Sequence, residues 1–191
     1  MKKIMTEETT RALTDFTRGY CEDWQRICGH PPASRDLYGV PSPCIQSSCD
    51  DQVFWLPQPF TLAKNLDAVE RAMELRIQPS VVDWYTAQFS GDMTVTLAGQ
   101  MYTLLQTWSE EDFLRLQENL IGHLVMQRRL KLSPTLFIAT SASEQEVIAV
   151  CNLTGEVVLE KTGTKKRNVL APNLIDFLSL LRNSVNSAEN C

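Results

Sequence analysis

Residues 93–112, MTVTLAGQMYTLLQTWSEED, hold a β-hairpin that leads directly into a helix. Side chains alternate between apolar and polar over 93–97, Gly99 permits a turn, and β-type residues continue to Trp108, which predicts two antiparallel strands. Ser109 can cap the helix that follows, and three acidic residues suit the positive end of its dipole. A hairpin joined to a long helix favours an α+β fold over a parallel βαβ sheet.

The sequence on either side adds mainly helices before this stretch and further strands after it. We predict a long ordered loop over residues 29–51 and a frayed tail over about 184–191. The result is a single α+β domain over residues 1–191, with helices packed on a mixed or antiparallel sheet of about six strands. Helices are predicted over 6–28, 65–73, 79–89, 109–130 and 172–183, and strands over 52–56, 93–97, 101–108, 136–140, 146–151 and 156–161.

Length and composition agree with one soluble globular domain. The chain has 191 residues, of which 43% are hydrophobic and 21% are charged. The lysines at positions 2 and 3 have no apolar stretch behind them, and no window approaches the roughly 18 apolar residues of a membrane span. We therefore expect a cytoplasmic protein. A net charge of −5 argues against a nucleic-acid partner, because phosphate binding needs a basic excess.

Enzyme signatures are largely missing from the sequence. It has no phosphate-binding loop, no dinucleotide-binding turn and no nucleophile elbow. The six cysteines lack the spacing of a zinc knuckle, and the two histidines are His30 and His123. We predict no catalytic residue, no cofactor and no metal site. A hydrolase that uses a carboxylate pair or His123 remains the alternative from the enzyme class.

Charge is distributed unevenly along the chain. Residues 36–118 carry twelve acidic and four basic side chains, a net charge of −8. If these acids converge in space, they form an acidic field suited to a basic partner; otherwise they are a solvated surface. The residues alone leave both interpretations open.

A short basic cluster lies near the C-terminal end, where a turn is expected before the last helix. It consists of Lys161, Lys165, Lys166 and Arg167. An exposed hairpin tip explains it, and so does contact with anionic lipid head groups, which salt would screen. The second interpretation allows peripheral membrane association without an anchor.

Several segments in the same order resemble the Syd family of SecY-interacting proteins of proteobacteria. They cover nearly the whole chain, from about residue 10 to 183, and shared strings of this length are more specific than spaced motifs. The matching segments are residues 38–44, 58–60, 68–72, 88–93, 105–113, 117–124, 134–140 and 150–157.

The resemblance implies a SUKH-like α+β fold and a monomeric binding protein without enzymatic activity. It further implies binding to the cytoplasmic loops of SecY, in the SecYEG translocon, at the cytoplasmic face of the inner membrane, where the protein modulates or checks the channel. An acidic concave surface would meet the basic loops. Acids inside the matching segments are the favoured contacts: Glu70, Asp92, Glu110, Glu111, Asp112 and Glu118.

Two further expectations follow for the partner. An immunity-type protein that neutralises a basic toxin would use the same charge logic, so it stays an alternative. Charge reversal at Glu110, Glu111 and Asp112 together is expected to weaken SecY binding and to leave thermal stability nearly intact.

Overall fold

A computed structural model describes residues 2–185 of the chain. Over this range the chain forms five helices and twelve short strands. The helices are α1 (Lys2–Cys28), α2 (Asp67–Met73), α3 (Pro79–Thr86), α4 (Glu110–Arg129) and α5 (Leu174–Leu180). The strands are β1 (Ala33–Ser34), β2 (Ile45–Cys49), β3 (Gln52–Trp55), β4 (Gln58–Pro59), β5 (Gln88–Phe89), β6 (Met93–Leu97), β7 (Gln100–Leu104), β8 (Thr135–Ser141), β9 (Glu146–Cys151), β10 (Val157–Lys161), β11 (Arg167–Ala171) and β12 (Arg182–Asn183).

The main sheet has seven strands in the order β11-β10-β9-β8-β7-β6-β12, and its neighbouring strands are antiparallel. This confirms the predicted α+β class. The quoted hairpin forms the fifth and sixth strands of this order: β6 pairs with β7 through a turn at Ala98 and Gly99, both with positive φ. Such a turn matches the right-handed twist of the strands it joins.

Several predicted boundaries were wrong: the helix predicted over 79–89 ends at Thr86, and the strand predicted over 101–108 ends at Leu104. Three others were wrong for local reasons. The first helix begins at Lys2 rather than Thr6. Strand β2 lies inside the segment that was predicted as a loop. The sequence did not reveal it, because its four exposed positions give no apolar alternation. The last helix ends at Leu180, since Leu181 is extended (φ −80, ψ 151) and the next two residues pair with β6 as β12.

The structure describes only the first two residues of the tail predicted over about 184–191. Ser184 still donates a backbone hydrogen bond to the Thr94 carbonyl, at 3.1 Å. The remainder of the predicted frayed segment, 186–191, lies outside the described residues.

Buried aromatic side chains of α3 tie that helix to the main sheet. The Trp84 indole Nε1 donates to the carbonyl of Leu105 at 2.9 Å, and the Tyr85 hydroxyl donates to the carbonyl of Phe137 at 2.6 Å. Both rings are fully buried. Because each ring contributes apolar area and also satisfies its polar atom, α3 is held at a fixed register against the strands.

Candidate functional site

A groove of two adjoining depressions opens on the surface, and Leu37 and Asp92 line both of them. The larger depression, about 420 Å³, lies between α1, the small sheet of β1 to β3 and the hairpin β6–β7. The smaller, about 260 Å³, lies against the first half of α4. We call this combined surface the groove. Asp92 is at its centre because it belongs to both depressions.

The backbone positions Asp92 through the glycine that precedes it. Gly91 lies so close to the Trp55 indole that an added Cβ would be 2.5 Å from the ring carbon Cε2. One carboxylate oxygen of Asp92, Oδ1, accepts a hydrogen bond from the backbone N–H of Gln106 at 2.9 Å. A glycine is therefore required where the chain passes the indole, and Asp92 follows it into the groove.

The environment of Asp92 disfavours its charged form. The Asp92 side chain is exposed to solvent, yet the protein around its carboxyl group partly desolvates it and raises its pKa to about 7. The hydrogen bond from Gln106 opposes the shift, while the nearby charges of Asp112 and Asp36 add to it. A bound cation stabilises neighbouring carboxylates of like charge, so this group of acids is suited to binding a positively charged side chain.

Asp112 contributes a second carboxylate and also starts helix α4. Its backbone N–H donates to the Ser109 hydroxyl at 3.2 Å, and its Oδ2 accepts from the Trp108 backbone N–H at 2.8 Å. This reciprocal cap satisfies N–H groups that have no partner within the helix. Its other oxygen, Oδ1, lies 3.8 Å from a guanidinium nitrogen of Arg115.

Asp36 is the third acid of the groove and was missed by sequence analysis. It lies in the turn after β1 and lines the larger depression beside Arg35. The charge count placed it at the start of the acidic region, two residues before a matching segment. With Arg115 in the smaller depression, the groove has three carboxylates and two guanidinium groups.

Three aromatic side chains and a methionine are also among the lining of the larger depression. Tyr20 and Trp55 stack with their ring centroids 6.3 Å apart, and Trp24 meets Tyr20 edge-on at 6.5 Å. Met101 is 53% exposed on the same surface. The three rings are almost fully buried, so the exposed Met101 is what offers an entering side chain an apolar contact.

The structure brings two of the six predicted acids together. Asp92 and Asp112 share the smaller depression. Glu110 and Glu111 are exposed in the first turn of α4, and Glu118 is exposed farther along that helix. Glu70 is half-buried on α2 and lines separate depressions that it shares with Arg76.

His123 belongs to a buried network between α4 and the main sheet. Its Nε2 lies 3.1 Å from the Thr135 hydroxyl and 3.5 Å from Glu160 Oε1. The Thr135 hydroxyl donates to Glu160 at 2.6 Å and accepts from the Gln127 amide at 2.8 Å. These contacts hold α4 against the main sheet. His123 lines neither depression of the groove.

Glu160 is held in its charged form by this network. Burial would raise its pKa, but the hydrogen bonds from His123 and Thr135, with the positive charge of Arg167, lower it overall. Arg167 Nε lies 3.1 Å from Glu160 Oε2 as an ion pair without hydrogen-bond alignment. Arg167 also donates to the Ser133 carbonyl at 2.5 Å.

Only part of the predicted basic cluster points into solvent. Lys161, Lys165 and Lys166 are exposed at the tip of the β10–β11 hairpin, whereas Arg167 is half-buried against Glu160. Among residues 2–185, no three His, Cys, Asp or Glu side chains form a metal-binding group. No described helix is long and apolar enough to cross a membrane.

Comparison with known proteins gives a consistent result. The family model described as "Syd protein (SUKH-2)" matches residues 10–183. The chain is 58% identical over 186 residues to "Protein Syd" of Erwinia tasmaniensis, which covers 97% of this chain and 100% of the relative. It is 60% identical over 177 residues to the Enterobacter sp. protein of the same name, and 57% identical over 178 residues to that of Escherichia coli O157:H7; each match covers 93% of this chain and 98% of the relative.

Proposed function

The chain belongs to the Syd family, and from this premise we propose that it is a binding protein for the SecY subunit of the protein-translocation channel. It acts at the cytoplasmic face of the inner membrane, without catalysis, as a monomer. Its groove captures Lys- and Arg-rich cytoplasmic loops of SecY, and the protein thereby modulates or checks the channel.

One observation carries this proposal: Asp36, Asp92 and Asp112 surround a single open groove. The charges of Asp36 and Asp112 repel the charge of Asp92, which costs free energy in the unbound protein. A lysine or arginine side chain that enters the groove relieves this repulsion, and the exposed Met101 offers its alkyl stem an apolar contact. Charge and shape therefore select a basic loop over a neutral one.

The acids around the groove have a different role from those inside it. Glu110, Glu111 and Glu118 are exposed on α4, where they extend the negative field toward the partner. Exposed charges of this kind accelerate association more than they increase affinity, and salt screens them. Glu70 lies in a different depression and contributes to the field from farther away.

The hairpin tip supports peripheral association with the membrane that surrounds SecY. Lys161, Lys165 and Lys166 together would contribute about 3 kcal/mol next to anionic lipids at low salt, at about 1 kcal/mol for each lysine. This contribution is too small to hold the protein on a membrane alone. It would add to the binding of SecY.

The direct experiment is a titration of the purified protein against detergent-solubilised SecY complex at several salt concentrations. Binding that weakens steeply between about 0.05 M and 0.5 M salt supports capture by the acidic groove. Absence of binding at the lowest salt concentration contradicts the proposal and favours the immunity-type alternative, in which a basic toxin occupies the same groove.

A further inference from the structure

A second cavity lies outside the groove, near the starts of α1, α3 and α5. Its volume is about 480 Å³, and it shares no lining residue with either depression of the groove. Five of its twelve described lining residues are apolar or glycine: Pro79, Pro172, Leu174, Ile175 and Gly155. The proposed binding of SecY makes no use of this cavity.

A buried carboxyl group faces this apolar space. Asp83 of α3 lines the cavity and is 5% exposed. Its Oδ2 is sealed from solvent and accepts no hydrogen bond from the described residues. Burial raises the pKa of Asp83 to about 7, and the charge of Lys64 partly opposes this shift. A buried carboxyl group without a donor destabilises a fold by roughly 1–3 kcal/mol, so its presence calls for an explanation.

The cavity has the charge of a cation site. Glu8 and Asp83 both line the cavity, and none of its described lining residues is a lysine, arginine or histidine. A ligand that donates hydrogen bonds and carries positive charge would satisfy the Asp83 carboxylate, since either oxygen can turn toward the cavity about a soft side-chain torsion. An aliphatic stem would fit the apolar wall.

We propose that this cavity binds an alkylammonium group, with Asp83 as the hydrogen-bond acceptor and Glu8 as a second negative charge. The chemistry is that of a primary amine on a short aliphatic chain. A free alkylamine carries it, and so does the side chain of a lysine on another protein.

The charged groups around Asp83 determine when the site is competent. A second depression, about 520 Å³, also reaches Asp83 from the side of Lys64, Glu70 and Arg76. Lys64 is the nearest competitor for the carboxylate, because its charge already lowers the pKa of Asp83. Glu70 and Arg76 oppose each other on that side. Binding therefore requires ionised Asp83 and strengthens as pH rises through about 7.

The test uses n-butylammonium and the full-length protein, observed through the Asp83 carboxyl carbon by NMR at about pH 8.5 and about pH 6. We expect the amine to shift this resonance and to lower the apparent pKa of Asp83. In Asp83→Asn, which keeps the side-chain shape, affinity should fall at least about tenfold. Asp67→Asn, an exposed charge change on α2, should bind like the wild type.

Two further arms complete the design. Uncharged n-butanol should bind wild type and Asp83→Asn alike. An N-acetyl-lysine methylamide probe distinguishes the sources: if it also shifts Asp83, a lysine side chain fits the cavity, and if butylammonium alone does so, the ligand is a free amine. Equal affinity of butylammonium for wild type and Asp83→Asn, or an unmoved Asp83 resonance, would overturn the proposal.

Discussion

Asp92 makes the proposed interaction sensitive to pH at the scale of a single residue. Its raised pKa of about 7 means that it is partly protonated near neutrality, and a protonated carboxyl attracts a cation weakly. We predict that affinity for the SecY complex increases from about pH 6 to about pH 8. In Asp92→Asn this increase should be strongly reduced. Binding isotherms at fixed salt and several pH values measure the affinity of wild type and of Asp92→Asn. A pH profile that is the same in the variant would exclude Asp92 as the contact.

Asp92 should also make the stability of the fold depend on pH, but stability should fall as pH rises, whereas affinity for SecY should increase. The folded protein holds a proton on Asp92 more tightly than the unfolded chain does, because the fold raises the pKa of this carboxyl group well above its ordinary value. Stability contributed by this group is therefore present at low pH and is lost as pH rises through about 7. Asp92→Asn should raise the melting temperature at about pH 8 and change it less at about pH 5, a difference that calorimetry detects.

Gly91 is the residue on which the position of Asp92 depends. An alanine methyl group there would be 2.5 Å from the indole of Trp55, a fully buried side chain. We predict that Gly91→Ala lowers the free energy of unfolding by roughly 1–3 kcal/mol and weakens SecY binding. Gly122→Ala is the matched control: nothing lies within 4 Å of its added Cβ, and α4 should gain up to about 1 kcal/mol. Chemical denaturation of both variants checks the pair.

At the scale of one element, the start of α4 combines a structural and a binding role. Asp112 accepts the Trp108 N–H, so reversing its charge removes a helix cap as well as a groove charge. We therefore no longer expect charge reversal at Glu110, Glu111 and Asp112 together to leave stability nearly intact. Glu110→Lys with Glu111→Lys should weaken binding at a cost of about 0.3–1 kcal/mol per residue from the helix dipole. Adding Asp112→Lys should cost about 1 kcal/mol more. Equal stability of the double and triple variants would argue against the cap.

The far half of α4 is fastened by the buried network around Glu160. Glu160→Gln removes the charge that pairs with Arg167 and lies near His123, and we predict a loss of about 3 kcal/mol at neutral pH. Because the pKa of Glu160 is lowered in the fold, its contribution is present above its unfolded pKa and disappears in acid. The difference between wild type and variant should therefore shrink as pH falls. Glu144→Gln, an exposed change in the β8–β9 turn, should lose almost nothing by the same denaturation measurement.

Elements with strong local signals were predictable, and those that depend on distant partners were not. The cap at Ser109, the apolar stripe of α4 and the β6–β7 turn are encoded within a few residues. Strand β12 exists because β6 offers an edge, and β2 exists because β3 does. Their own sequences are polar or very short, so tertiary hydrogen bonding decides them.

At the scale of the whole molecule, the groove shows the same division. The excess of acid in the middle of the chain was visible in the sequence, as were Asp92 and Asp112. Asp36 and the rings of Tyr20 and Trp24 are joined to them only by folding, because α1 and the turn after β1 are far away in sequence. Charge composition therefore predicts a basic partner, and the fold supplies the shape of the groove that we propose for it.

The central claim is that the groove carries the interaction with SecY, and one comparison tests it most directly. Affinity for detergent-solubilised SecY complex is measured for wild type and for two double variants. The groove variant combines Asp36→Asn with Asp92→Asn. The control combines Asp67→Asn with Glu144→Gln, which removes the same charge from exposed positions that do not line the groove. The groove variant should bind at least about tenfold more weakly at low salt, and the control should bind like the wild type. Equal weakening of both variants, or of neither, would contradict capture by the groove.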